Sequence, residues 1–268
     1  LEPLSAFCEK HGVKLRYQTS YGKSLELAQT AMHVDIPETE TLYGKDIVDF
    51  YRLQAGAVHM TDKNVYSIEA SPELLTKFGF WEMNRGNGEA DASNYQQTWD
   101  GQLWHIQRAL AGGVNQIVFH GYSYNGQYDG EGNENGYVAG TQWPGFEGFG
   151  TTSWSNSWGE RQPNWTHANA YTSFISRNQM VLREGTAKMD LAILELRYWE
   201  NIDFYGASKF YQDGSALEHA GYTYDFISPA ALELDNAQVT NGCLDADGPA
   251  YKAILLDNET TIPQAAAE

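Results

Sequence analysis

Four short β-rich runs, each preceded by a stretch of helical spacing, dominate the first 120 residues and constrain the fold most. Residues 13–19, 33–37, 64–68 and 114–119 read as strands. Residues 4–11, 25–30, 46–60 and 99–110 carry apolar side chains at helical intervals. Strand–helix–strand alternation requires crossover connections, which are right-handed and build a parallel sheet. Four such units are half of a (β/α)₈ TIM barrel. Polar and ionisable residues gather at the end of each run: Gln18, then Glu38 and Glu40, then Glu69, then His120 and Tyr122. In barrel enzymes the carboxyl ends of the strands form the active-site face.

Residues 121–160 differ from the rest. They hold 10 of the 26 glycines and 9 of the 36 aromatic residues, with no Lys or Arg. A long loop of this kind after a strand is usually functional. Aromatic faces with polar tips suit sugars, and Trp143, Trp154, Trp158 and Trp165 are the candidate platforms. Helical spacing resumes over 168–183, with Gly185 as its stop. The run 189–194 is nearly continuous in apolar residues, as in a buried parallel strand. Residues 222–227 and 251–256 read as further strands. The expected division is therefore a half-barrel over 1–184, with its long loop at 121–167, and the start of a Rossmann-like α/β domain over 185–268.

Composition narrows the partners. The net charge is −18, which argues against nucleic acid and anionic membrane surfaces, since both need a basic footprint. No apolar run approaches the ~18–20 residues of a membrane span. Cys8 and Cys243 make neither a disulfide framework nor a Cys-based zinc site. The sequons at Asn164 and Asn258 lean toward a secreted protein. The first residue is Leu1 rather than Met, and the expectation is a processed product or a piece of a longer polypeptide.

The chemistry points to carboxylates. Glu69 follows the β-rich run Val65-Tyr66-Ser67-Ile68 and has the placement of a base or nucleophile in glycoside hydrolysis. Glu38 and Glu40 flank Thr39 in a Pro-Glu-Thr-Glu segment that reads as a turn. Two carboxylates two residues apart can hold a hard cation or share a proton. Asp129-Gly-Glu131-Gly-Asn133 begins like a calcium loop, but Glu134 and Gly140 stand where an EF-hand has Gly and Glu. No phosphate loop, dinucleotide fingerprint, nucleophile elbow or His-Glu-x-x-His motif is present.

With these residues the chain resembles the α-L-rhamnosidases of glycoside hydrolase family 106. The likeness is carried by Val34-Asp-Ile-Pro-Glu38-Thr-Glu40, Tyr66-Ser-Ile-Glu69-Ala, Ala111-Gly-Gly-Val-Asn115, Ile117-Val-Phe-His120-Gly-Tyr122, Trp143-Pro-Gly145 and Ala220-Gly-Tyr222-Thr-Tyr224-Asp225-Phe226-Ile227. The resemblance implies an inverting, calcium-dependent enzyme on a (β/α)₈ barrel, with the four strands here as its fifth to eighth. Glu69 would be the general base, and Glu38 or Glu40 a calcium ligand or a contributor to water activation. Gln18, His120, Tyr122 and Trp143 would line the sugar subsite. The family's general acid ends its fourth strand, upstream of Leu1. The resemblance therefore implies an oligosaccharide or polysaccharide substrate and a further N-terminal half-barrel that supplies the acid. Competing expectations are a retaining, β-galactosidase-like enzyme on the same barrel, and an inactive carbohydrate-binding scaffold.

Overall fold

The computed structural model describes residues 1–19, 27–40, 48–70, 98–119, 159, 163–195, 215–256 and 261–267. Helix α1 (Glu2–Lys10) ends at Gly12, whose φ of +68° is a conformation glycine adopts without strain. Strand β1 (Arg16–Gln18) follows, then α2 (Leu27–Met32) and β2 (Ile36–Glu40). Next come α3 (Val48–Arg52), α4 (Ala55–Met60) and β3 (Ser67–Ala70). Helix α5 (Trp99–Ala111) leads into β4 (Gln116–Phe119). The Thr98 side chain caps α5 by accepting from the Gly101 N–H, so one orphan donor of the first turn is satisfied.

The first four strands form one sheet, parallel throughout, in the order β1-β2-β3-β4. Successive side chains on a strand point to opposite faces. One face carries Thr39, Ile68 and Ile117 in register. Ile68 is fully buried against a core that includes Phe50, Tyr51, Val58, Tyr66, Ala109 and Val114. The helices α3, α4 and α5 thus supply the cover of this face. The opposite face carries Arg16 and Gln18, Glu38 and Glu40, Ser67 and Glu69, and Gln116, and it is polar along almost its whole width.

Among the described residues the sheet does not close into a barrel. Strands β1 and β4 are its two edges. Helix α6 (Ala168–Leu182) packs alongside β4 and contributes to its edge. The Ile117 N–H donates to Gln179 Oε1 at 2.5 Å, and Arg183 Nε donates to the Asn115 carbonyl at 3.0 Å. The β4 edge therefore has two backbone groups met by side chains where another strand would otherwise meet them. The half-barrel expectation reduces to a mixed α/β fold with an open parallel sheet.

A second sheet follows. Strand β5 (Leu191–Leu194), helix α7 (Ser215–His219) and strand β6 (Tyr224–Ile227) precede the short antiparallel pair β7 (Val239–Thr240) and β8 (Cys243–Leu244). Strand β9 (Ala253–Leu256) and helix α8 (Gln264–Ala267) complete the described chain. The sheet is parallel in the order β6-β5-β9. Its Ile193, Tyr224 and Phe226 belong to the same buried cluster as Ile68 and Tyr66, so the two sheets share a core.

Two local expectations differ from the structure. Residues 46–60 have the spacing of one helix, yet α3 and α4 are separated at Leu53 and Gln54. The break seats Gly56 directly against the Phe226 carbonyl of β6, where a Cβ would overlap that oxygen. It also lets Gln54 Nε2 donate to the Glu38 carbonyl at 3.2 Å. Glu38 and Glu40 also lie within β2 rather than in a turn after a strand. Proline and three polar residues look like a turn, but Ile36, Glu38 and Glu40 alternate onto one face of a central strand.

Candidate active site

The polar face of the first sheet is layered by register. Gln18, Glu38, Ser67 and Gln116 form one row across the four strands. Glu40, Glu69 and Val118 form the next row toward the carboxyl ends. Strands in a sheet lie about 4.8 Å apart, so these rows bring side chains from distant sequence positions into one site.

The lower row is a network. Ser67 Oγ donates to Glu38 Oε2 at 2.7 Å, and Arg16 Nη1 lies 3.6 Å from the same oxygen. Arg16 Nη2 also donates to Gln116 Oε1 at 3.4 Å, so one side chain links β1 to β4 over the whole sheet. A carboxylate held by a guanidinium and a hydroxyl is charge-compensated. The upper row is different. Glu40, only 4% exposed, accepts from Gln18 Nε2 at 3.0 Å. Glu69, half-buried, is its register partner on the neighbouring strand. Two carboxylates thus stand side by side at the carboxyl ends of parallel strands.

The structure brings four of the expected site residues together: Gln18, Glu38, Glu40 and Glu69. His120, Tyr122 and Trp143 lie outside the described residues, as do Trp154, Trp158 and the acidic run beginning at Asp129. Trp165 packs with Trp99 against the small core of Ile106, Tyr171 and Ile175, so it fills a satellite core. Arg16, Ser67 and Gln116 were not expected in the site. Their signal was the alternation in Arg-Tyr-Gln, Ser-Ile-Glu and Gln-Ile-Val, where polar residues fall on the same face as the acids.

Several other expectations meet the structure here. Cys8 and Cys243 are both free thiols. The Asn164 side-chain oxygen is buried without a hydrogen-bond partner, while Trp99 Nε1 donates to the Asn164 carbonyl at 3.2 Å. Among the described residues no helix is long and apolar enough to cross a membrane. Among them, too, no three His, Cys, Asp or Glu side chains converge as ligands for a metal ion. Calcium takes six to eight oxygen ligands. Glu38 and Glu40 supply two carboxylates at most, and Glu38 already faces a guanidinium, so the described residues do not form a complete calcium site.

The fold and the face together define a mixed α/β protein with carboxylates at the ends of parallel strands. No protein-family model and no curated protein matches the chain's sequence. Among solved structures it is similar to a rhamnosidase from Novosphingobium sp. PP1Y, with a TM-score of 0.59 and 16% sequence identity. The match covers 98% of this chain and 22% of that one. The chain thus spans about a fifth of the length of that rhamnosidase, and the likeness is one of fold.

Proposed function

We propose that the chain is part of a secreted glycoside hydrolase acting on α-L-rhamnosides in oligosaccharides or polysaccharides. The observation that carries this reading is the pairing of Glu40 with Glu69 on one polar face at the carboxyl ends of parallel strands. The fold likeness to a rhamnosidase supports it. Glu69 acts as the general base. It takes a proton from water as the oxygen attacks the anomeric carbon, while an acid outside this chain protonates the departing glycosidic oxygen. That acid comes from an N-terminal half-barrel in the same enzyme. Tyr122, His120 and Trp143 line the sugar subsite.

The test is Glu69→Gln in a polypeptide carrying both halves of the barrel, assayed on an aryl α-L-rhamnoside. Nearly all activity is lost, because Gln cannot accept the proton. Retained activity rejects the assignment.

A second reading, a retaining enzyme, has one observation in its favour. Glu40 and Glu69 sit on neighbouring strands, about 4.8 Å apart in backbone spacing. Retaining enzymes hold their carboxyl groups about 5–5.5 Å apart, and inverting enzymes about 6.5–9.5 Å. NMR of the first-formed product anomer separates the two: inversion supports the general-base role, and retention makes one of the pair a nucleophile.

A further inference from the structure

We infer that Gln18 is a positioning residue that holds Glu40 beside Glu69, rather than a sugar contact. The inference rests on the glycosidase reading and assigns the two β2 acids different work. Gln18 stands in register with Glu38, yet its amide reaches diagonally to Glu40, one row nearer the carboxyl ends, at 3.0 Å. Long side chains span such diagonals.

The physical need is plain. Glu40 is almost fully buried and has another carboxylate as its register partner. Like charges side by side on a sheet face repel, and a buried carboxylate needs donors. An amide N–H supplies a donor without adding a positive charge. Glu38 is served differently, by Arg16 and Ser67. A guanidinium compensates charge and ties Glu38 into the sheet. The Gln18 amide fixes the plane of the Glu40 carboxylate one row nearer the carboxyl ends, level with Glu69. Glu40, and not Glu38, is therefore the acid that works with Glu69.

Two measurements test this. In the 268-residue chain, ¹³C NMR of labelled glutamate side chains follows each carboxyl through its titration. Gln18→Ala moves the Glu40 titration to higher pH, because the hydrogen-bond donor that Gln18 supplies to its charged form is lost. An unmoved Glu40 overturns the inference. In an active polypeptide carrying both halves, Gln18→Ala lowers kcat about 10- to 100-fold, as misplacement of a working group does, with KM changed less than about twofold. Gln18→Glu keeps the shape but replaces the donor with an acceptor, and it moves the acid limb of the pH–rate profile upward. A raised KM with unchanged kcat makes Gln18 a sugar contact and overturns the inference. If Gln18→Ala shifts Glu40 but the complete polypeptide cleaves no aryl glycoside, the pairing stands and the glycosidase reading fails.

Discussion

His59 Nδ1 lies 2.7 Å from Asp225 Oδ2 and ties α4 to the middle of β6. Tyr251 donates its hydroxyl to the same oxygen at 2.8 Å, so a group from beside β9 joins the pair. Asp225 is 1% exposed and His59 is largely covered. Burial opposes a charged imidazole, but the Coulombic attraction of Asp225 and their hydrogen bond outweigh it. His59 is therefore held above its ordinary value of 6.5.

The consequence is a pH dependence of stability. A raised folded-state pKa contributes stability that is complete below the unfolded value and is lost as pH rises through the folded one. The His59 contribution to stability against urea is expected to be complete below the ordinary value of 6.5 and to be lost as pH rises above it. In His59→Gln that slope flattens. An equally steep loss in His59→Gln would place its cause elsewhere.

Gly56 of α4 stands directly against β6 of the second sheet. A Cβ there overlaps the Phe226 carbonyl and comes within 2.9 Å of Ile227 Cγ2. Backbone cannot yield as a side-chain tip can. Gly56→Ala is expected to cost about 3 kcal/mol through overpacking, despite the better helix propensity of alanine. Denaturant midpoints measure it, and a neutral or stabilising result would show that α4 can slide on β6.

The edge of β4 gives a third expectation. Gln179 and Arg183 stand four residues apart and meet the Ile117 N–H and the Asn115 carbonyl. Alanine at both leaves two backbone groups without protein partners and costs about 1–3 kcal/mol. Gln179→Glu keeps the acceptor and recovers most of the loss at that position. Sedimentation of the double variant checks the second effect, since an uncovered edge strand invites pairing with another chain.

Glu38 and Glu40 are separable by mutation. Glu38→Gln removes the charge that Arg16 faces at 3.6 Å, and this partly exposed pair is worth about 1 kcal/mol or less. Glu40→Gln alters the carboxylate beside Glu69. In an active polypeptide, Glu40→Gln is expected to lower kcat/KM far more than Glu38→Gln. Equal losses would mean that both acids serve the same step.

Much of the first sheet was legible from residue order. The β/α alternation required parallel strands, and the expected runs overlap β1, β2, β3 and β4. Gln18, Glu38, Glu40 and Glu69 were legible as candidates because polar residues interrupt apolar runs at the strand ends. The helix over 99–110 was legible from its spacing, and Thr98 marks its start. Helix α4 shows the limit of this reading. Spacing alone cannot see that the helical pattern must break so that Gly56 can meet β6, a partner some 170 positions away.

The sequence by itself determined the class, a parallel α/β chain with an acidic character, because periodicity and charge are local properties. The tertiary structure decided which acids meet. Register put Glu40 opposite Glu69 and left Glu38 with Arg16 and Ser67, and register depends on how strands pair, not on spacing along the chain. It also decided that two backbone groups on the β4 edge are met by Gln179 and Arg183, from a helix more than sixty residues away.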